Sequence, residues 1–146
     1  MKNLFNKTDR EEVINRFNKL TSETKGQWGV MSVDQMLAHC SIPLELAFTN
    51  PKPKRDLMGK IIGPLVKNSI IGPKPFKRNG YTPPQFKITT PQDFSLQKER
   101  LLGLVNRFAP ENITDRVHPF LGKMTEQEWG ESSYKHLEHH LIQFGV

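Results

Sequence analysis

The sequence predicts an all-α fold, a four-helix bundle forming one domain over residues 1–146, and three observations carry that expectation. Four segments open on recognisable helix caps and continue at helical spacing. No stretch sustains the period-2 alternation of a half-buried strand. One long, proline-rich, basic connection separates the second helix from the third. The composition fits: a chain of 146 residues, 36% hydrophobic and 25% charged, can bury a core without disulfides and is not a disordered polymer.

Helix 1 is expected over roughly residues 9 to 22, with Val13, Phe17 and Leu20 on its inner face. Its start is Thr8-Asp9-Arg10-Glu11, a capping box in which hydroxyl and carboxylate each satisfy an orphan backbone N–H. Ser32-Val33-Asp34-Gln35 repeats the device and opens helix 2, roughly 33 to 49, which Asn50-Pro51 ends. Thr90-Pro91-Gln92-Asp93 is expected to open helix 3, with proline at the favoured first position, and Ala109-Pro110 to close it. Thr125-Glu126-Gln127-Glu128 opens helix 4, which runs to about Phe144 before Gly145.

Between helices 2 and 3 lie seven of the eleven prolines: Pro51, Pro53, Pro64, Pro73, Pro75, Pro83 and Pro84. Within this connection, residues 57–71 predict a short extra helix interrupted near Gly63-Pro64. A connection of such length is often functional, as a lid or as a crossover between the ends of a bundle. It is also basic. Residues 51–87 hold nine Lys or Arg against one acid, Asp56, so this segment carries +8 of a net +6 and the rest −2. Such a stripe attracts an anionic small molecule or nucleic acid, or is simply a solvated loop.

The N-terminus, MKNLFNKTDREE, lacks the apolar run of about 7–15 residues that a secretory signal needs. No run approaches the ~18 apolar residues of a membrane span. A lone cysteine, Cys40, allows no internal disulfide. These features predict a cytoplasmic chain with no membrane partner.

Five histidines carry the chemistry: His39, His118, His136, His139 and His140. With His136 at zero on a helix turning about 100° per residue, His140 falls at about 40°, Trp129 at about 20° and Phe144 at about 80°. Glu138, Glu131, Lys135 and Glu128 occupy about 200° to 280°, and His139 about 300°, toward the wet side. His136 and His140 therefore point inward, one turn apart, a spacing that suits either a chelating pair or two core histidines satisfied by hydrogen bonds. On helix 2, His39 lies on the buried side, away from Asp34, Ser41 and Glu45. It stands about two turns from its helix start, and the pair stands one to two turns from the end of helix 4. If the two helices are antiparallel, all three rings share one level, which needs an up-down-down-up path and hence a long crossover. His118, next to Pro119, is expected to fix the turn before helix 4. Cys40 is expected to be an inert core thiol, and Trp129 and Tyr134 core packing.

The segment HPFLGKMTEQEWGESSYKHLEHHLIQFG (118–145) resembles the C-terminal signature of the DinB/YfiT-like superfamily: an HPxFG turn, then T-x-x-E-W, then H-x-x-H-H-x-x-Q. WGVMSVDQMLAHC (28–40) is similar to the matching helix-2 segment, and the HPFLG form points to the DUF1569 branch. The two motifs cover about forty residues, in the order a chain-long match requires. The resemblance implies a left-handed four-helix bundle with a three-histidine metal site that maps onto His39, His136 and His140. It further implies a divalent transition metal (Zn, Ni or Fe). Relatives include transferases and isomerases that use bacillithiol, mycothiol or glutathione, so a low-molecular-weight thiol is an expected co-substrate.

The leading expectation is a metal-dependent enzyme, a thiol-dependent S-transferase or hydrolase acting on a small molecule. No Asp or Glu is firmly placed inward as a general base. The alternative is a non-catalytic interaction protein, with the metal structural or absent and residues 51–87 binding an anionic partner such as nucleic acid. Few aromatics interleave that segment (Phe76, Tyr81, Phe86), so nucleic acid is disfavoured, whereas a homodimer is compatible with the sequence.

Overall fold

The computed structural model describes residues 1–50, 52–54, 57–113 and 115–146. Pro51, expected to end the second helix, and Asp56, the one acid of the basic stretch, lie outside the described residues. The described chain is mostly helical: α1 (Lys7–Asn18), α2 (Val33–Phe48), α3 (Leu57–Ile71), α4 (Phe94–Asn106) and α5 (Glu126–Gln143). Two-residue strands β1 (Val117–His118) and β2 (Gly122–Lys123) pair antiparallel, with Val117 opposite Lys123 and His118 opposite Gly122. The sequence predicts no sheet, and a ladder this short is too brief to leave an alternation signal.

Two caps form as predicted and two do not. At α5, Thr125 and Glu128 exchange hydrogen bonds at 3.1 and 2.8 Å, and at α2 the Ser32 N–H donates to Gln35 Oε1 at 3.0 Å. Helix α1 begins two residues before the expected start, because Asn6 accepts from the N–H groups of Thr8 and Asp9 and so displaces the Thr8 box. Helix α4 begins later than expected, at Phe94, because the Asp93 carboxylate accepts from Leu96 N–H at 2.8 Å. Gln92 N–H is drawn instead to Asp34 Oδ2 at 2.7 Å, which leaves Thr90 and Pro91 in the loop.

The extra helix forms, but without the predicted break at Gly63-Pro64: α3 runs continuously through Pro64. Pro64 removes one amide, the partner of the Lys60 carbonyl, and both residues are exposed, where that carbonyl is open to solvent.

Helices α1, α2, α4 and α5 share one core, with Phe17, Leu37, Met36, Leu101, Leu137 and Leu141 fully buried in it. The most extensive packing is α2 on α4; α1 leans on α4 and α5, and α5 on α2. Helix α3 lies outside this set, against α5 and β2. Its Val66, Ile70 and Ile71 face the core, whereas Leu57, Ile61 and Leu65 are exposed. Lysines fasten the outer pieces. Lys135 of α5 donates to the carbonyls of Ser69, Ile70 and Gly72 at the end of α3. Lys52 is buried and donates to the carbonyls of Ala47, Thr49 and Asp115, beneath the Trp129 ring. The exposed C-terminal carbonyls of α2 and α3 thus meet ammonium groups, the charge a helix C-terminus favours. No described helix is long and apolar enough to cross a membrane.

Candidate metal centre

The first half of α2 lies beside the second half of α5, and the three predicted histidines meet there. One ring nitrogen from each of His39, His136 and His140 lies within 4.8 Å of the others. The ring centroids are 4.8 to 5.0 Å apart. His39 and His140 are buried and His136 is half-buried. Among the described residues, no carboxylate or thiol joins the group.

The outer nitrogens are tied, and the ties determine where the protons sit. His39 Nδ1 stands 2.7 Å from the Phe86 carbonyl. A carbonyl only accepts, so Nδ1 carries the proton and Nε2 keeps its lone pair. That Nε2 faces His136 Nε2 at 3.1 Å. His140 Nδ1 stands 2.8 Å from Gln143 Oε1, while Gln143 Nε2 donates to the Trp28 carbonyl at 2.8 Å. The same logic gives His140 an Nδ1 proton and a bare Nε2. A histidine whose back nitrogen is held by a carbonyl or amide is oriented to ligate with its front one. The donor set therefore fits a divalent ion of the imidazole-loving kind, with bonds of about 2.0–2.1 Å.

Electrostatics agrees. Burial, and then the charge His39 would bear, push His140 down to about 3, against a smaller upward pull from Gln143. Burial followed by its imidazole neighbours holds His136 well below the ordinary histidine range, and burial lowers His39 as well. Neutral imidazole is the ligand form, so all three are ready at neutral pH.

A cavity of about 350 Å³ opens beside the cluster, with Trp28, Met31, Phe86, Lys87, His139 and His140 among its walls. His139 lies outside the cluster, as expected of a surface or outer group, but is less exposed than its place on the wheel suggests. It is half-buried, not wet, with its ring against Trp28 at 5.9 Å and Phe76 at 5.8 Å. The helical wheel counts that flank of α5 as solvent, but residues of the long connection fold over it. His118 performs the turn-fixing role read from the sequence: its Nδ1 accepts from the N–H groups of Phe120 and Leu121 at 3.1 and 3.0 Å. Cys40 is fully buried, its Sγ 3.6 Å from Met36 Sδ, and burial pushes its thiol far up, so it is inert. Trp129 and Tyr134 are core residues.

Sequence reasoning missed the groups behind the ligands. The Phe86 carbonyl comes from a tight turn in the connection, where Phe86 N–H bonds to the Pro83 carbonyl at 2.9 Å; Pro83-Pro84 was the available signal, since adjacent prolines fix such a turn. Gln143 sits three residues, one helical turn, after His140, a spacing that places them side by side. Trp28 acts through its backbone, which no side-chain pattern reveals.

Fold and site together define a class: helical proteins with a buried three-histidine cluster able to hold a metal ion. A family model described as a protein of unknown function, DUF1569, matches residues 2–145. The chain belongs to the DUF1569 family. No curated protein and no solved structure matches it.

Proposed function

We propose that the chain is a divalent-metal-binding protein of the DinB-like kind. In this reading α1, α2, α4 and α5 are the up-down-down-up bundle, and His39, His136 and His140 hold the ion. The observation that supports it most is the convergence of three neutral imidazoles, two with their outer nitrogens already held by Phe86 and Gln143. Zn, Ni or Fe suits such a set, and when bound would supply Lewis acidity enough to make a nucleophile of water or thiol near pH 7.

The chain's own residues would then do the rest. The Phe86 carbonyl and the Gln143 amide orient the ligands. Trp28, Met31 and Phe86 line the cavity with apolar surface and restrict water. Lys87 on its wall, and Arg78 stacked 4.3 Å from the Trp28 ring, make no ion pair among the described residues. They favour a small organic anion as the substrate. Following the family resemblance, that anion is a low-molecular-weight thiol, whose sulfur bonds to an electrophilic carbon as the carbon–halogen bond breaks, with halide leaving and the thiol proton passing to solvent.

Mass spectrometry after incubating zinc-, nickel- or iron-loaded protein with glutathione, bacillithiol or mycothiol and a haloalkane tests the reaction. A metal-dependent thioether conjugate is expected, and its absence with every thiol and metal would reject the transferase. The nucleic-acid reading is less well supported, because Lys52 and Lys67 of the basic segment are committed to internal carbonyls and to Glu128.

A further inference from the structure

The turn at residues 27–29 is stitched to the end of α5. Gln27 N–H donates to the Gln143 backbone carbonyl at 2.7 Å, and the Gln143 side-chain amide donates to the Trp28 carbonyl at 2.8 Å. Because the Trp28 carbonyl can only accept, it holds the amide NH₂ on its own side and turns Oε1 toward His140 Nδ1. Gln143 is 4% exposed, so its amide is largely shielded from bulk water.

Gly29 makes this contact possible. Its φ of +82° is in the left-handed region, and a Cβ built there would stand 2.6 Å from Gln143 Nε2. Any side chain at 29 therefore strains the turn and pushes the amide off the Trp28 carbonyl. An amide released in this way can rotate and present NH₂ to His140 Nδ1. The imidazole then carries its proton on Nε2, the nitrogen it would otherwise offer to a metal.

We propose that Gly29 and Gln143 are positioning residues that fix the tautomer of His140, so that the wall of the cavity and the metal centre are one mechanical unit. The tautomer assignment stands on the hydrogen bonds alone; its consequence for metal rests on the function proposed above.

Nitrogen-15 NMR of histidine-labelled, metal-free protein reads the tautomer, and cobalt(II) titration followed by visible absorption reads the affinity. Wild type is expected to hold His140 in the Nδ1–H form. Gly29→Ala and Gln143→Leu should populate the Nε2–H form and bind cobalt roughly 10–100-fold more weakly. Gln143→Glu, whose carboxylate still accepts from Nδ1–H, should keep the tautomer and most of the affinity. Leu96→Ala, exposed on α4 and away from the cavity, should behave as wild type. Should Gly29→Ala fail to fold, the contrast of Gln143→Leu with Gln143→Glu decides. His140 remaining Nδ1–H in both Gly29→Ala and Gln143→Leu would overturn the proposal. A wild type that binds no cobalt would remove the metal reading, with the NMR result still deciding the tautomer relay.

Discussion

At the scale of single residues, His140 shows how burial keeps an imidazole neutral. Burial holds it at about 3, against 6.5 for an unperturbed imidazole, so the folded chain refuses a proton that the unfolded chain accepts. Such a group costs nothing above the unfolded value and destabilises the fold as the pH drops below it. The metal-free protein should therefore lose stability on acidification from pH 6.5 toward 3. His140 contributes up to ~1.4 kcal/mol per pH unit of that slope. Urea unfolding with chelator at pH 7 and pH 5 should show a steeper loss in wild type than in His140→Ala. Equal losses would contradict the assignment of a buried, neutral ring.

At the scale of elements, the helix starts separate what local sequence can specify from what it cannot. Asn6 caps α1 through two backbone N–H groups, so Asn6→Ala should destabilise the protein by about 1 kcal/mol, and Thr8→Ala by only a few tenths. Thermal or urea unfolding of the two variants checks this, and the reverse order would restore Thr8 as the cap. The α5 box was legible because Thr125 and Glu128 have no nearby competitor. Thr8 and Thr90 look like caps in the sequence but do not act as caps, because Asn6 and Asp93, also strong caps, stand two and three residues away. Local pattern identifies a cap but does not rank rivals when tertiary bonds such as Gln92 to Asp34 choose between them. His139 is less exposed than the wheel suggests for a related reason. The periodicity of α5 marks the flank away from the main core, yet α3 and residues of the connection cover that flank. The Lys135 bonds to the end of α3 show the covering directly.

For the whole molecule, the three-histidine cluster was legible and its support was not. Helical phase alone turned His136 and His140 inward, and depth along two helices put His39 level with them, because these properties follow from side-chain identity and spacing. The groups that hold the rings are a carbonyl at Phe86 and another at Trp28, reached through Gln143. Backbone carbonyls are common to all residues, so only the folded path of the chain shows which two arrive. The long connection supplies a cavity wall and the carbonyl partner of His39 as well as a helix. Its +8 charge was compatible with an anionic neighbour or with a solvated loop, and does not choose between them. The central claim, that these three rings bind one ion, is tested most directly by elemental analysis of protein purified without a histidine tag, beside a His136→Ala/His140→Ala variant. The account predicts about one transition-metal ion per chain in wild type, and none in a variant that stays helical by circular dichroism. Metal-free wild type that takes up no added zinc, nickel, iron or cobalt, or a variant that keeps its ion, would contradict it.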